Sequence, residues 1–265
     1  MHDSVSSLNA MKEAETPGSL VEGDFDLDAV RAAKPGRSVA VIVPAKDEAK
    51  TLASVLEAVL AHDELVDELV VVDDHSSDTT ASVALSHGAK VVEHLGPSGK
   101  GAAMTSGVQA TSSELIVFLD GDVNNTSPEF VARLLRPLLT RQEIQLVKGF
   151  YERPLFAQPT GGGRVNDLAA RPILKLLFPG LGDIRQPLAG ESAIRRSLFD
   201  GVALEPGYGV EVALLIDVVR LFGVHAVAEV DLGTRSHRNR SLDELRPMSE
   251  EILRAALERA GVITY

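Results

Sequence analysis

The sequence predicts an α/β domain with a mostly parallel central sheet. Short apolar segments of strand length alternate with amphipathic segments of helical length over the first 120 residues, a pattern typical of βαβ units. Hydrophobic residues make up 45% of the chain, enough for a sizeable core. No stretch rich in Pro, Gly or Ser divides the chain. We therefore expect one domain.

The first half of the chain carries the regular alternation. The first strand is Ser-Val-Ala-Val-Ile-Val and the second is Glu-Leu-Val-Val-Val-Asp. The third is a short Val-rich run and the fourth contains Leu-Ile-Val-Phe-Leu, with a segment of helical length after each of the first three. The predicted strands are 38–43, 68–73, 89–93 and 114–119, and the predicted helices are 51–61, 78–87 and 100–110.

The second half is less regular. Apolar runs predict strands at 144–150 and 225–231, and helical periodicity predicts helices at 165–177, 210–222 and 242–260. Ligands of such sheets bind beyond the carboxyl ends of the strands, so the turns after the first, second and fourth strands are the candidate site.

Charge and composition exclude several function classes. The chain has 38 acidic and 26 basic residues, a formal net charge of −12, which argues against a nucleic-acid partner. It has no cysteine, 4% aromatic residues and no apolar run long enough to span a membrane. We expect a cytoplasmic protein without a membrane or nucleic-acid partner.

The charge is unevenly distributed. Residues 1–30 hold seven acids and one base, and we interpret residues 1–34 as an acidic flexible tail preceding a domain at 35–265. Residues 133–175 hold eight bases and three acids, which suggests an anionic small-molecule ligand as well as a solvated helix face.

Acidic and polar side chains follow three of the predicted strands. Asp120 and Asp122 flank Gly121 after the fourth strand, and hard carboxylate ligands at that position suit a divalent ion that also binds a diphosphate. A simple strand-ending turn is the alternative. Glu48, Asp73 and Asp74 follow the first two strands and are candidates to accept hydrogen bonds from a base or ribose.

Glycine-containing segments supply further candidates. The segment 96–101 lacks the spacing of an ATPase phosphate loop, but Lys100 at a helix start remains a phosphate or sugar ligand. Gly161 to Arg164 forms an anion site or a flexible linker. His237, among arginines, either completes a metal site with Asp122 or lies on the surface.

Together these motifs resemble the glucosyl-3-phosphoglycerate synthases, retaining glycosyltransferases of the GT-A (nucleotide-diphosphosugar transferase, Rossmann-like) fold. The resemblance covers about 39–260 and rests on eight segments. These are Val-Pro-Ala at 43–45, Gly-Lys-Gly at 99–101, Asp-Gly-Asp at 120–122, Gln-Leu-Val-Lys-Gly-Phe-Tyr at 145–151, Gly-Gly-Gly-Arg-Val at 161–165, Gln-Pro-Leu at 186–188, Pro-Gly-Tyr-Gly-Val-Glu at 206–211 and His-Arg-Asn-Arg at 237–240.

The resemblance implies a function and a site. It implies glucose transfer from UDP-glucose to the 2-hydroxyl of 3-phosphoglycerate by a homodimer with Mg²⁺ or Mn²⁺, a nucleotide-sugar half at about 35–123 and an acceptor half at about 124–265. The implied donor ligands are Pro44, Ala45, Glu48, Asp74, Lys100, Asp120, Gly121, Tyr208, Val210 and Glu211. The implied acceptor ligands are Gly163, Arg164, Asn166, Arg235 and Asn239, the metal ligands are Asp122 and His237, and the catalytic groups are Leu188, Glu211, Lys100 and Asp122.

Departures from the family pattern leave alternatives open. Lys46-Asp47 stands where the family has Leu-Asn, Asp74 where it has Ser and Asn166 where it has Thr. The alternatives are the same fold using GDP-mannose or another acidic acceptor, and a silent protein that binds nucleotide sugars.

Overall fold

The computed structural model of the chain describes residues 25–152, 154–155, 158–161, 163–235 and 241–264. Seven strands form one sheet, with β1 Val39–Ala45, β2 Glu68–Asp73, β3 Lys90–Glu93, β4 Leu115–Phe118, β5 Leu146–Glu152, β8 Ser192–Arg195 and β9 Val227–Thr234. β6 Pro154–Leu155 and β7 Gln158–Gly161 pair as a separate two-stranded sheet.

Eight α-helices accompany the strands in the described residues. They are α1 Leu27–Ala33, α2 Leu52–Leu60, α3 Thr80–Ser86, α4 Lys100–Gln109, α5 Glu129–Thr140, α6 Arg171–Leu177, α7 Val210–Phe222 and α8 Leu242–Arg259. Short 3₁₀ turns occupy Asp63–Leu65, Pro179–Leu181, Arg196–Asp200 and Val224–Ala226, and a π-helical turn, Asn166–Ala170, leads into α6.

The strand order is β3-β2-β1-β4-β8-β5-β9. Six of the seven strands run parallel to one another. The seventh, β8, runs antiparallel to them and pairs with β4 on one side and β5 on the other. Phe118 at the end of β4 lies opposite Ser192 at the start of β8. The carboxyl ends of the parallel strands and the amino end of β8 therefore meet at one edge, which we call the mouth of the sheet.

Helices cover both faces of the sheet, so its strands are buried on both sides. One core cluster joins α4 and α7 to β1, β2 and β4 through residues such as Ile42, Met104 and Leu215, each at most 2% exposed. The other joins α2 and α5 to the opposite face, with Leu56 and Leu134 fully buried. Such three-layer packing explains the near-continuous apolar strands.

The predicted α/β fold with a mostly parallel sheet is confirmed. The predicted strand 68–73 coincides with β2, and the other five strands overlap with shifts of one to three residues at their ends. The predicted helix 165–177 is divided into the π-helical turn and α6. The sequence analysis missed α1, α5, β8 and the β6–β7 hairpin.

The helix α1 lies inside the stretch that was assigned to the acidic tail. Asp26 caps it by accepting hydrogen bonds from the amides of Asp28 and Ala29, and Val30 is fully buried in the core cluster with α5. Residues 26–34 are thus part of the folded body. Residues 1–24 lie outside the described residues.

None of the helices in the described ranges combines the length and apolar character that a membrane span requires.

Candidate active site

The mouth of the sheet holds a cluster of buried charges, which we call the carboxylate cluster and which comprises Asp120, Asp122, Glu191 and Glu211. Asp120 and Asp122 follow β4, Glu191 precedes β8 and Glu211 lies in the first turn of α7. Glu191 is 1% exposed and Glu211 is 7% exposed. Four carboxylates so close together require compensating positive charge.

Lys100 and Arg235 provide that positive charge. The Nζ of Lys100 lies 2.7 Å from Asp120 Oδ1 and 2.6 Å from Glu211 Oε1. Arg235, which directly follows β9, directs Nη2 at both Asp120 Oδ2 (2.8 Å) and Asp122 Oδ1 (2.9 Å). Its Nη1 donates to Glu191 Oε2 at 3.0 Å and to the Tyr151 hydroxyl at 2.7 Å.

These contacts fix the charge state of the cluster. Burial opposes ionisation of Asp120, but the charges of Lys100 and Arg235 outweigh it and hold the pKa of Asp120 far below its usual range. Burial likewise opposes the charge of Lys100, yet Asp120 and Glu211 raise its pKa. Arg235 also has a raised pKa, against burial, chiefly because of Glu191 and Tyr151. Asp120, Lys100 and Arg235 are therefore charged at neutral pH.

The pair Asp120 and Asp122 fits a divalent cation. Their oxygens Oδ2 and Oδ1 converge on a single nitrogen of Arg235 at 2.8 and 2.9 Å, so both reach one point that a cation already occupies. Hard oxygen ligands of this kind suit Mg²⁺ or Mn²⁺. The predicted metal ligand His237 lies outside the described residues, as does Asn239.

Arg235 was expected to bind the acceptor. In the structure it is 4% exposed, and its guanidinium pairs with Asp120, Asp122 and Glu191. The sequence analysis also missed Glu191, which pairs with it. The residue types alone carry no signal that these two charges, 44 positions apart, meet at the mouth.

The predicted donor residues after β1 lie beside Gly121. A Cβ on Gly121 would lie 3.6 Å from the Ala45 Cβ, from the Glu48 Cγ and from the Pro44 carbonyl oxygen. The Thr51 hydroxyl donates to the Gly121 carbonyl at 2.7 Å. Four of the predicted donor ligands are thus adjacent, at the exits of β1 and β4.

Asp74, the next predicted donor residue, lies at the exit of β2. Its amide donates to the Ala45 carbonyl (2.9 Å), and its Oδ2 accepts from the Ser98 hydroxyl (2.8 Å) and the Gly99 amide (3.1 Å). Asp74 is 6% exposed, and within the described residues its Oδ1 has no hydrogen-bond partner. A buried carboxylate with one oxygen available, beside the predicted donor-binding residues, is suited to accept a hydrogen bond from a base or ribose.

Asp74 also lies in a group with two histidines. His75 Nε2 is 4.0 Å from Asp74 Oδ1, but it contacts the Gly96 carbonyl at 2.8 Å. His94 Nε2 contacts the Pro97 carbonyl at 3.0 Å, and its Nδ1 contacts the Ser106 hydroxyl at 2.9 Å. These ring nitrogens hold the loop between β3 and α4 in place.

The amino end of α4 differs from an open anion site. The amides of Gly101 and Ala102 donate to the carbonyls of Gly207 (3.4 Å) and Pro206 (2.8 Å). A Cβ on Gly101 would lie only 1.7 Å from the Glu205 carbonyl oxygen, so the loop before α7 seals this helix end. Lys100 therefore acts through its ammonium group.

The remaining predicted donor residues lie on that loop and the start of α7. Val210 is fully buried and packs beside Gly101. Tyr208 is 37% exposed, and its amide donates to Glu251 Oε2 of α8 at 2.6 Å. The closing helix thus supports the loop that presents Tyr208 and Glu211.

The predicted acceptor segment lies between β7 and α6. Gly163 has a φ of 77°, a conformation that glycine adopts without strain, and its carbonyl accepts from the Asp167 amide at 3.1 Å. Asn166 is 8% exposed and directs its amide nitrogen at the Arg185 carbonyl (3.3 Å) and Asp167 Oδ1 (3.1 Å). The side-chain nitrogen of Asn166 therefore links this segment to the turn that carries Leu188, and its hydrogen bonds are already used for that contact.

Known proteins resemble the chain throughout these regions. Residues 40–161 match the family model "Glycosyl transferase family 2". A glucosyl-3-phosphoglycerate synthase of Mycobacterium tuberculosis is 46% identical over 248 residues, which cover 88% of this chain and 76% of that protein. The synthase of Mycolicibacterium smegmatis is 44% identical over 245 residues, 88% of this chain and 81% of that protein.

A crystal structure of the M. tuberculosis synthase with Mn²⁺, UDP-glucose and phosphoglyceric acid superposes with a TM-score of 0.86 at 42% identity, covering 95% of this chain and 89% of that chain. Another, with Mg²⁺ and UDP, gives 0.87 at 41%, covering 94% and 88%. The fold and the carboxylate cluster define a glycosyltransferase of the GT-A fold. Within that class, the chain belongs to the glucosyl-3-phosphoglycerate synthase family.

Proposed function

We propose that this protein transfers glucose from UDP-glucose to the 2-hydroxyl of 3-phosphoglycerate, with retention at the anomeric carbon. The observation that carries the proposal is the carboxylate cluster with Lys100 and Arg235 at the mouth of the sheet. Relatives of the same fold were crystallised with UDP-glucose, phosphoglyceric acid and Mn²⁺, which supports this donor and acceptor over GDP-mannose.

The donor diphosphate would lie beside Lys100, Asp120 and Asp122. Asp122, with Asp120 and His237, would hold Mg²⁺ or Mn²⁺. The metal neutralises the charge that develops on the leaving diphosphate. Lys100, kept charged by Asp120 and Glu211, adds a fixed positive charge on the same side.

The nucleoside end of the donor would contact residues after β1 and β2. Pro44, Ala45, Glu48 and Gly121 form one wall, and Asp74 contributes the unused oxygen Oδ1. An N–H group of uracil or a ribose hydroxyl can donate to that oxygen. Tyr208, on the loop sealed against α4, and Val210 and Glu211, at the start of α7, would bind the glucose.

The acceptor would lie between the 163–166 segment and the turn at 186–190. Gly163 and Arg164, with Asn239, would bind its phosphate or carboxylate, since backbone amides and a guanidinium suit anions. Leu188 would face the reacting carbon through its carbonyl oxygen. Asn166 would contribute indirectly, by holding this segment to residue 185.

The chemical step needs no protein nucleophile. The 2-hydroxyl oxygen of the acceptor forms a bond to the anomeric carbon while the bond from that carbon to the diphosphate oxygen breaks. The proton of the hydroxyl passes to the departing phosphate oxygen, and UDP leaves on the same face. The fixed charges of the cluster lower the barrier by stabilising the departing oxygen.

The test is a donor-by-acceptor activity matrix. Purified protein with Mg²⁺ should release UDP only when UDP-glucose and 3-phosphoglycerate are both present, and a chelator should abolish the release. Preference for GDP-mannose would contradict the donor assignment. Binding of UDP-glucose without turnover on any acidic acceptor would favour a silent binding protein.

The same proposal includes a homodimer in the cytoplasm. Exposed apolar side chains near the ends of α7 and α8, Leu221, Phe222 and Val262, are suited to an interface. The lack of cysteine suits a reducing compartment. Light scattering on the purified protein should give twice the 28.2 kDa chain mass, and cell fractionation should place the protein in the soluble fraction.

A further inference from the structure

Lys148 of β5 is a buried lysine that has no carboxylate hydrogen-bond partner among the described residues. It is 1% exposed, and its Nζ donates to the Ala189 carbonyl at 2.5 Å. Lysine is almost never fully buried unless it is paired, because leaving water penalises its charge. Burial accordingly lowers the pKa of Lys148 to about 8, although Glu211, Glu191 and Asp120 favour its charge.

The acceptor of this bond belongs to the turn that carries Leu188. Strand β5 holds the turn at three points. Lys148 Nζ donates to the Ala189 carbonyl, the Gly149 backbone amide donates to the Glu191 carbonyl at 2.9 Å, and the Gln186 side-chain nitrogen Nε2 donates to the Tyr151 carbonyl. Of these three, the bond from Lys148 is the one closest to Leu188 in the chain. It is also the one that depends on a charged side chain.

The same turn is pressed against the carboxylate cluster. A Cβ on Gly190 would lie 2.2 Å from Asp120 Oδ1, so the backbone beside Ala189 touches the side chain that also binds Lys100 and Arg235. A shift of this turn would therefore move Asp120 and Leu188 together.

Lys148 also changes the charge balance below the mouth. The cluster has four carboxylates, and Lys100 and Arg235 supply two positive charges in direct contact. Lys148 interacts electrostatically with Glu211, Glu191 and Asp120 and adds a third. Since a diphosphate brings further negative charge, a buried cation behind the cluster favours the binding of the diphosphate. It also stabilises the negative charge that develops on the diphosphate when its bond to the sugar breaks.

We infer that Lys148 is a positioning residue for glycosyl transfer: it holds the 186–190 turn against Asp120, keeps the Leu188 carbonyl directed at the reacting carbon, and supplies a third buried positive charge. This inference rests on the proposed function.

The charged groups around Lys148 predict how turnover depends on pH. Glu229 of β9 is its register neighbour, and burial raises the pKa of Glu229. Glu211, Glu191, Asp120 and Lys100 are its other charged neighbours. The pKa of Asp120 is lowered and that of Lys100 is raised, so neither group titrates near pH 8. The pKa of Lys148 is about 8, and we therefore expect Lys148 to lose its proton in that range.

The experiment compares kcat and KM of the wild type, K148M and K148R between about pH 6.5 and 9.5, with Mg²⁺, UDP-glucose and 3-phosphoglycerate. Lys90→Met is the matched control, because Lys90 also donates to a backbone carbonyl, that of Ala110 at 2.5 Å, but is exposed on β3. Circular dichroism verifies that each variant is folded.

We expect kcat of the wild type to fall above about pH 8. K148M should lose about 10- to 100-fold in kcat, in the range of losses for residues that orient a site from behind, with smaller changes in KM and no alkaline fall. K148R, which keeps its charge at high pH, should recover part of the turnover and also lack the fall. K90M should behave as the wild type.

Two results would overturn the inference while leaving the proposed function intact: a K148M kcat within about threefold of an active wild type, or the same alkaline fall in K148M or K148R. Should K148M not fold, the profiles of the wild type and K148R decide alone. A wild type that turns over no donor and acceptor pair refutes the proposed function itself and the inference with it.

Discussion

Arg235 occupies the point between Asp120 and Asp122 where a divalent cation would bind. Its other contacts, to Glu191 and Tyr151, are independent of that point. A cation approaching Asp122 therefore competes with one nitrogen of a guanidinium that stays anchored at its other side.

Substitution R235A should separate these roles. In the absence of metal we expect a loss of about 3–5 kcal/mol in stability, because the substitution removes the buried ion pair between Arg235 and Glu191. Mn²⁺ should then raise the Tm of R235A more than that of the wild type, since no arginine competes for the carboxylates.

The exposed pair of Arg246 and Asp243 on α8 provides the control for this measurement. R246A should change stability by about 1 kcal/mol or less and leave the response to Mn²⁺ unchanged. An equal Mn²⁺ response in R235A and wild type would show that Arg235 does not share the metal position.

The raised pKa of Glu229 leads us to expect that stability also depends on pH. Because burial raises its pKa, the native protein keeps this proton to higher pH than the unfolded chain does. Its contribution favours the native state at low pH and is lost as the pH rises through the native pKa. E229Q keeps an oxygen for the Arg185 amide, so its stability relative to the wild type should increase from about pH 4 to 7.

Thermal unfolding at several pH values measures this trend. Glu93 is exposed on the edge strand β3, and E93Q, which makes the same chemical change at an exposed position, is the control variant. A constant difference for E229Q would contradict the assignment of a raised pKa to Glu229.

At the scale of elements, the end of α4 and the loop before α7 fit together through glycine. Gly101→Ala would bring a Cβ within 1.7 Å of the Glu205 carbonyl oxygen, a backbone atom that cannot rotate away. We expect a loss of about 1–3 kcal/mol in unfolding free energy, measured by urea denaturation. Gly121→Ala, whose nearest contacts are at 3.6 Å, should unfold as the wild type does.

The helix α8 supports the same loop from the other side. Glu251→Ala removes the acceptor of the Tyr208 amide, which should raise KM for UDP-glucose several-fold and change kcat less. Glu250, one position earlier, pairs with Arg254 on the surface. E250A should leave both constants unchanged, and an equal effect of the two variants would mean that α8 acts only through overall stability.

The sequence predicted the four strands of the first half because each has apolar residues at its centre. It missed β8 because Ser192–Arg195 is four residues long and is a strand only through its neighbours β4 and β5. Helix α5 was missed although Phe130, Leu134 and Leu138 recur at helical spacing.

The contacts of the candidate site could be predicted only in part. Pro44 lies near the end of β1, and Glu48 and Gly121 follow β1 and β4, so their places at the mouth could be predicted from local sequence. The contacts of Lys148 and Glu191 could not, because they depend on which residues the antiparallel strand β8 brings to the mouth. The contacts of Arg235 with Asp120, Asp122 and Glu191 could not be predicted for the same reason.

At the scale of the whole molecule, α1 marks where the folded body begins within the described residues. Deletion of residues 1–34 removes the contacts of Val30 with the core cluster of α5, whereas deletion of residues 1–24 keeps them. We expect a lower Tm only for the longer deletion, and equal Tm values for the two would mean that α1 contributes nothing to stability.

The single reversed strand makes the site depend on both halves of the sheet. β8 joins β4 to β5 by antiparallel backbone pairing, so Asp120 after β4 and Arg235 after β9 meet across it. A change that displaces β8 would therefore move the two sides of the charge cluster relative to each other.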